Sequence, residues 1–123
     1  MSPAVGDLVV VNFPEQDPQG REQEGKRPAV LAGLPETLGS TRFGVVFVIP
    51  LTGAEDNQRW ADQAPDLYPR LASGTGGLVE DSIVLLDQLR AVDKKRVTRK
   101  IGTLPKDIVA LLKQSLRTIL ELG

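Results

Sequence analysis

Short apolar runs separated by turn signals make up most of this chain, and that pattern predicts a series of short strands. Leu8 to Phe13 is rich in β-branched residues, which favour a strand, and Pro14 ends the run. Arg42 to Leu51 is the clearest strand, and because it is apolar on both faces we expect it to be central and buried. Pro50, near its end, fits only where the sheet needs no N–H donor.

A second strand is predicted between these two. The segment Gln16 to Gly25 is polar and charged and reads as a loop. Pro28 restricts the preceding residue to extended backbone and suits the start of a strand, so we expect a strand over Ala29 to Leu31. Gly33 to Ser40 contains a proline and two glycines and reads as a turn region.

The later part of the chain is less regular. Gly53 to Gly77 is rich in proline and glycine, and it predicts a long loop with one weak strand near Leu67 to Leu71. Over Asp81 to Leu89, the side chains at alternate positions fall into one apolar set and one mixed set, which predicts a strand with one apolar and one mixed face. The basic run Arg90 to Lys100 follows, and a short final strand is predicted over Ile101 to Leu104.

The chain ends in an amphipathic helix. Apolar residues fall at helical spacing from Ile108 to Leu120, and Pro105 stands where a first helical residue belongs. Asp107 in the first turn is favourable to the helix dipole. We expect the helix to pack on the sheet. The sequence thus predicts a single domain over residues 1–123, a small α+β fold with a curled antiparallel sheet.

Composition removes several kinds of chemistry. The 123 residues include no cysteine and no histidine, which excludes disulfides, thiolate nucleophiles, the usual zinc sites and Ser–His or Cys–His relays. The carboxylates are scattered, with no cluster at obvious two-metal spacing. The apolar runs are too short to span a bilayer and the N-terminus has no signal-peptide pattern, so we expect a cytoplasmic protein without membrane contact.

Charge is distributed unevenly although the formal net charge is only -1. Met1 to Leu89 carries 6 Lys+Arg against 13 Asp+Glu, whereas Arg90 to Gly123 carries 9 against 3. A polyanion would therefore be held by local patches, and an acidic partner would prefer the later part of the chain. The alternative is a solvated basic face without a ligand.

One charged stretch is the main candidate for a site. Arg21 to Pro28 lies between two predicted strands, so Arg27 is a guanidinium held at a strand entrance, with Glu22 upstream on the same loop. Charged groups on a loop anchored by rigid strands are a common way to build a site. A solvated connector is the alternative interpretation.

Five blocks of this sequence, taken in order, resemble one family. In their order and spacing they are similar to the MazF/PemK toxins of bacterial toxin–antitoxin systems, and the resemblance covers nearly the whole chain apart from Gly53 to Gly77. The blocks are Gly6 to Val9, Glu22 to Val30, Val48 to Thr52, Asp81 to Arg90 and Ile101 to Leu104.

The resemblance implies a fold, an activity and partners. It implies an SH3-like β-barrel of the MazF/PemK/CcdB kind, a homodimer, and an endoribonuclease that cuts single-stranded RNA at short sequences without metal or another cofactor. It also implies a cognate MazE-like antitoxin whose disordered, acidic C-terminal tail fills the RNA groove. A CcdB-like gyrase-inhibiting toxin and a non-catalytic SH3-like binding module are the alternatives, and the presence of Arg27 and Thr52 together favours the nuclease.

Three catalytic positions follow from the resemblance. The family's catalytic arginine falls on Arg27, its catalytic threonine on Thr52, and the acidic residue of its loop on Glu22. RNA can cut itself when its 2′-hydroxyl attacks the adjacent phosphate, so the protein must supply charge stabilisation and proton transfer. Arginine stays protonated and is a poor base, which favours Arg27 as a clamp on phosphate oxygens and Glu22 as the proton acceptor. The alternatives are a strand-end role for Thr52 and a salt bridge between Glu22 and Lys26.

Four further residues are candidates for binding the RNA. Gln23 follows the loop glutamate, Lys26 precedes the catalytic arginine, and Gln88 matches a position at the groove floor of the family. Asn12 stands in the first strand where some members have aspartate, and Lys26 stands where some have histidine. These departures affect the RNA sequence that would be recognised rather than the chemistry of cleavage.

Overall fold

The protein is described here by a computed structural model, which covers residues 3–15, 17–18, 20, 24–55 and 58–123. These parts of the chain form seven strands and two α-helices. The strands are β1 Asp7–Phe13, β2 Gly25–Gly33, β3 Val45–Gly53, β4 Arg70–Leu71, β5 Ser82–Val84, β6 Arg90–Asp93 and β7 Val97–Thr103, and the helices are α1 Arg59–Gln63 and α2 Lys106–Ile119.

All seven strands belong to one antiparallel arrangement: six follow the order β4-β5-β3-β2-β1-β7, and β6 pairs with β3 outside this order. Strand β3 is central, as predicted: β2 lies on one side, and the other side is shared by β6 and then by β5. The two ends of the order meet where Gly76 and Gly77, in the turn after β4, pack against Ile101 and Gly102 of β7. The sheet is thereby curled into a small barrel with a C-terminal helix, and the predicted SH3-like α+β fold is confirmed.

Strand β1 contributes to both sides of the interior, because successive side chains of a strand point to opposite faces. Leu8 packs in a cluster with residues of β2, β3, β5 and α2, while Val9 and Val11 pack in a second cluster with β2, β3 and β6. Helix α2 buries Leu112 in the first cluster, so the predicted packing of the helix on the sheet is confirmed. In the described part of the chain, no helix is long and apolar enough to cross a membrane.

Strand β2 is longer than predicted. It begins at Gly25 rather than Ala29, so Lys26 and Arg27 are strand residues instead of loop residues. Pro28 lies inside the strand, just before Ala29, where the pairing with β3 begins. The missing N–H of Pro28 is tolerated because this part of β2 pairs with β1 alone among the described strands.

Strand β3 differs from its prediction at both ends. It starts at Val45 rather than Arg42 and runs on to Gly53, so Thr52 is inside the strand. The expectation of burial on both faces is wrong at its beginning, where Phe43 is 64% and Phe47 43% exposed. The Phe47 side chain covers Gly33 of β2, while the opposite face of the strand supplies the buried core.

The segment after β4 is also divided differently from the prediction. Strand β5 ends at Val84, and a 3₁₀ turn over Leu86–Gln88 follows it, so the predicted strand over Asp81 to Leu89 is too long. The basic run forms β6, which pairs with β3, and the first part of β7, which pairs with β1. The predicted final strand at Ile101 to Leu104 is therefore present as the end of β7, but the strand begins earlier, at Val97, and ends at Thr103. The turn between β6 and β7 is stabilised by Asp93, whose side chain accepts a 2.9 Å hydrogen bond from the Lys95 N–H.

The irregular segment between β3 and β5 contains more structure than predicted. It holds α1, and its weak strand is present as β4. The Trp60 ring meets the Tyr68 ring edge-to-face, with centroids 4.8 Å apart. The Tyr68 hydroxyl donates a 2.6 Å hydrogen bond to Asp87, which raises the pKa of Tyr68. These contacts fasten the segment to the turn after β5.

Candidate functional site

A groove of about 810 Å³ runs across β2, β3 and β7 and under the segment between β4 and β5. It is the place where the main candidate residues come together. Its lining residues are Val10, Lys26, Arg27, Pro28, Leu51, Thr52, Gly53, Gly77, Leu78, Val79, Glu80, Ser82, Thr98, Arg99 and Ile101.

Arg27 lies at the exposed beginning of β2, where the strand extends beyond its pairing with β3. Its Nε donates a 3.1 Å hydrogen bond to the carbonyl oxygen of Glu24, which anchors the guanidinium near the start of the strand. Lys26 lines the same groove. Two cationic residues of β2 therefore contribute to this end of the groove.

Thr52 reaches the groove from β3. It pairs with Ile83 of β5 and is half-buried, while its neighbour Leu51 is fully buried in the core. A residue held in the central strand and flanked by a buried leucine has little freedom to move. The fold thus brings Thr52 from the central strand and Arg27 from its neighbour into one groove.

Strand β7 adds two groove residues that sequence reasoning did not single out. Thr98 donates a 3.2 Å hydrogen bond from Oγ1 to the carbonyl oxygen of Val10, and Arg99 pairs with Val10 across the sheet. The basic run was visible in the sequence, but its division into β6 and β7, which pair with β3 and β1, was not. The Asp93 turn and the β-branched residues after it were the available signal.

A carboxylate also lines the groove. Glu80 precedes β5 and lies over Gly53, with its Oε1 3.2 Å from the position that a Cβ on Gly53 would take. Nothing in the local sequence marks Glu80, because its position depends on the path of the segment between β4 and β5.

The other predicted binding residues are distributed differently. Asn12 is exposed on β1 and pairs with Lys26, and its carbonyl accepts a 3.1 Å hydrogen bond from Arg96, but it is not among the groove lining. Gln88 ends the 3₁₀ turn after β5 and is likewise not among the described lining residues. Glu22 and Gln23 lie outside the described residues.

The groove combines three cationic side chains, two threonine hydroxyls and one carboxylate with apolar lining residues. The polar groups are Lys26, Arg27, Arg99, Thr52, Thr98 and Glu80. Guanidinium and ammonium groups bind phosphate oxygens, and hydroxyls hydrogen-bond to the same oxygens. Among the residues that the structure describes, no three Asp or Glu side chains are grouped so that they could hold a metal ion. The arrangement is suited to an anionic, extended ligand such as a single nucleic-acid strand.

Comparisons with known proteins agree with this architecture. MazF from Deinococcus radiodurans (crystal form I) is 27% identical, with a TM-score of 0.72 over 97% of this chain and 96% of that one. MazF in a MazE-MazF crystal from the same organism (form II) is 27% identical, with a TM-score of 0.69 over 98% and 97%. An endoribonuclease in complex with its cognate antitoxin from a mycobacterial species shares the fold at 13% identity, with a TM-score of 0.67 over 99% and 98%.

A family model describes the same relationship over nearly the full length. It represents the PemK-like, MazF-like toxin of type II toxin–antitoxin systems, and it matches residues 4–120. The chain therefore belongs to the family of PemK-like, MazF-like toxins of type II toxin–antitoxin systems.

Proposed function

We propose that this chain is a sequence-specific, metal-independent endoribonuclease that cuts single-stranded RNA in the cytoplasm as the toxin of a toxin–antitoxin pair. The observation that carries the proposal is that Arg27 and Thr52 line one groove together with Lys26 and Arg99. Membership of the toxin family supports the same activity. The groove is cationic where a phosphate would sit, and a hydroxyl stands beside it.

The reaction uses the RNA's own nucleophile. The 2′-hydroxyl oxygen attacks the adjacent phosphorus, a new O2′–P bond forms, and the P–O5′ bond breaks. The products are a 2′,3′-cyclic phosphate and a 5′-hydroxyl. The negative charge that builds up on the non-bridging oxygens must be stabilised, and preorganised donors are the most effective way to do this.

Each catalytic residue has a defined part in this reaction. Arg27 acts as an electrostatic clamp, because its planar fork fits two phosphate oxygens and it does not give up a proton. Thr52 donates its hydroxyl hydrogen to a non-bridging oxygen. Glu22 takes the proton of the 2′-hydroxyl, and water protonates the departing 5′-oxygen. The RNA strand continues along Lys26, with Gln23, Asn12 and Gln88 as the further proposed contacts.

The partners follow from the same groove. A MazF relative at 27% identity has been crystallised with MazE, and an acidic antitoxin tail would find in this groove the cations that RNA uses. We therefore propose a cognate antitoxin whose acidic C-terminal tail competes with RNA. We also propose a homodimer as the active form.

The decisive experiment uses an RNA oligonucleotide that the wild-type protein cuts. A second oligonucleotide carries deoxyribose at the single position upstream of the cut, and both are tested with and without excess EDTA. We expect the all-RNA strand to be cut under both conditions and the substituted strand to remain intact while it still binds, since phosphate contacts and stacking do not need that hydroxyl. Cutting of the substituted strand, or loss of all activity on chelation, would overturn the mechanism.

A further inference from the structure

The proposed catalytic residues leave the groove carboxylate of Glu80 without a part in the reaction. Glu80 is exposed, and it forms no ion pair within the part of the chain that the structure describes. A carboxylate in a groove that binds RNA repels the phosphates, so it must face something else. The remaining parts of an RNA strand are its bases and its ribose hydroxyls.

The space for this carboxylate is created by a glycine. A Cβ on Gly53 would lie 3.2 Å from Glu80 Oε1, a tight contact that would push the carboxylate away by a few tenths of an ångström, and 3.6 Å from its Cδ. Gly53 directly follows Thr52 in β3. The absence of a side chain at this position lets the carboxylate lie over the central strand, beside the proposed catalytic threonine.

The segment that carries Glu80 is braced on both sides. The Ser82 hydroxyl donates a 3.0 Å hydrogen bond to the Glu80 carbonyl oxygen, and the Asp81 side chain accepts a 2.8 Å hydrogen bond from the Ser73 N–H. Leu78 is buried in the core just before it. A segment fixed in this way can hold a side chain in a defined place, as a specific contact requires.

Glu80 also has an unusual neighbour. Val79 lines the same groove and is 96% exposed, although it is a large apolar residue. Apolar side chains next to a hydrogen-bonding group form a common recognition pattern for an unstacked base, which needs contact for its face and partners for its edge. The pair Val79 and Glu80 offers both.

The charge of Glu80 selects among the bases. An ionised carboxylate only accepts hydrogen bonds, so it matches an edge that presents two neighbouring donors. The Watson–Crick edge of guanine has them, in N1–H and N2–H. In adenine and cytosine the amino group lies next to an acceptor nitrogen, and in uracil the single N–H lies between two carbonyl oxygens.

We propose that Glu80 determines specificity, accepting hydrogen bonds from N1–H and N2–H of a guanine that rests against Val79. This inference rests on the proposed function of the groove in binding single-stranded RNA. Glutamine at this position offers one acceptor and one donor, which matches the edge of adenine or cytosine instead of guanine. A change of preference from guanine to adenine or cytosine is an effect that a merely structural role of Glu80 would not produce.

The test compares the wild-type protein with Glu80→Gln and with the control Glu36→Gln. Glu36 is also exposed, but it lies outside the groove and pairs with Lys94. Sequencing the cut ends of a random RNA pool gives the base preference at each position. Fluorescence anisotropy gives the affinity for uridine-rich 2′-O-methyl hexamers that carry one guanine, inosine, adenine or cytosine and cannot be cut.

We expect the wild type and Glu36→Gln to bind the guanine hexamer about tenfold more tightly than the adenine hexamer. Inosine, which lacks the N2 amino group, should lose most of this advantage. Glu80→Gln should reverse the preference toward adenine or cytosine, in the hexamers and in the RNA pool. Identical preferences in the wild type and Glu80→Gln would overturn the inference, whether or not RNA is cut. A Glu80-dependent guanine preference without any cleavage would instead overturn the proposed nuclease alone.

Discussion

Gly102 of β7 and Gly76, in the turn after β4, meet backbone to backbone. A Cβ on Gly102 would overlap the carbonyl oxygen of Gly76 and lie 2.8 Å from its carbonyl carbon. Gly76 itself has a φ of +56°, in the left-handed region that side chains disfavour. This contact joins the two ends of the sheet, and the neighbouring residues Gly77 and Ile101 line the groove. The packing of this turn against β7 thus also builds one wall of the candidate site.

Gly102→Ala should therefore destabilise the protein. The added methyl group meets backbone rather than a flexible side chain, so the clash requires the turn to move, and overpacking of this kind costs about 1–3 kcal/mol. Urea unfolding at neutral pH measures the change in the free energy of unfolding. The control is Gly44→Ala, whose Cβ would meet only the Lys94 Cβ at 3.9 Å and should change stability by about 0.5 kcal/mol at most. Equal stability of the two variants would contradict the backbone contact.

The sequence predicted those elements whose pattern is set locally. Strand β1 follows from its β-branched residues, and α2 follows from apolar residues at helical spacing behind Pro105. Burial of Leu112 and the central place of β3 could also be anticipated, because a long apolar run needs partners on both sides.

The remaining features depend on contacts between distant parts of the chain. The extension of β2 to Gly25 arises because β1 supplies pairing partners as far as Phe13. Charged residues interrupt both β6 and β7, which hid the division of the basic run into two strands. The carboxylate of Glu80 lies against Gly53, which is distant from it in the sequence. For β7 the Asp93 turn and the β-branched residues after it are a local signal, whereas the extension of β2 and the place of Glu80 leave none.

The roles of Arg27 and Thr52 can be tested by substitution. Arg27→Ala and Thr52→Ala should each abolish RNA cleavage, because the first removes the proposed phosphate clamp and the second removes the proposed hydroxyl donor. Melting temperatures should stay near that of the wild type, since Arg27 is exposed and Thr52 half-buried, and such changes move stability by about 0.5 kcal/mol. Cleavage of a labelled oligonucleotide and thermal unfolding measure the two effects.

Arg42→Ala is the matched control for the arginine. Arg42 is also exposed, but its guanidinium lies 4.7 Å from the centre of the Phe43 ring, outside the groove. Its cleavage rate should remain that of the wild type. If Arg27→Ala or Thr52→Ala also cuts at the wild-type rate, the catalytic assignment of that residue is wrong.

Asp7 should make the stability of the fold depend on pH. Its buried carboxylate accepts hydrogen bonds of 2.8 Å from the Ala4 N–H and 2.9 Å from Thr103 Oγ1, and Lys100 Nζ lies 3.4 Å away. Burial by itself raises the pKa of Asp7, but these hydrogen bonds and the Lys100 charge outweigh it and hold the pKa below its ordinary value of 3.8. The stabilisation that the Asp7 carboxylate contributes is therefore complete above pH 3.8, and it is lost as the pH falls through the lower pKa that Asp7 has in the folded protein.

Asp7→Asn should reveal this contribution. At neutral pH the free energy of unfolding of the variant should be lower by about 2 kcal/mol than that of the wild type. The variant loses hydrogen bonds to a charged carboxylate, and its side-chain NH₂ group points at a hydrogen-bond donor. The difference from the wild type should shrink as the pH is lowered below 3.8, when the wild-type carboxyl also becomes protonated. Urea unfolding between pH 2 and pH 7 measures it, with the exposed Asp62→Asn as the control. A difference that is constant over this range would show that the charge of Asp7 is not its cause.

RNA and an acidic antitoxin tail should compete for the same groove. Both ligands should use the cations of the groove, so Arg99→Ala should weaken both, and each affinity should fall as salt rises. For RNA the slope of log affinity against log salt should drop by about 1, the amount expected for one lost phosphate contact. Lys95→Ala is the control, because Lys95 is exposed in the turn before β7 and does not line the groove. Anisotropy of a labelled 2′-O-methyl oligonucleotide, titrated with a tail peptide of the cognate antitoxin, measures the competition. Simultaneous binding of peptide and oligonucleotide, each at full affinity, would show that the two ligands do not share this groove.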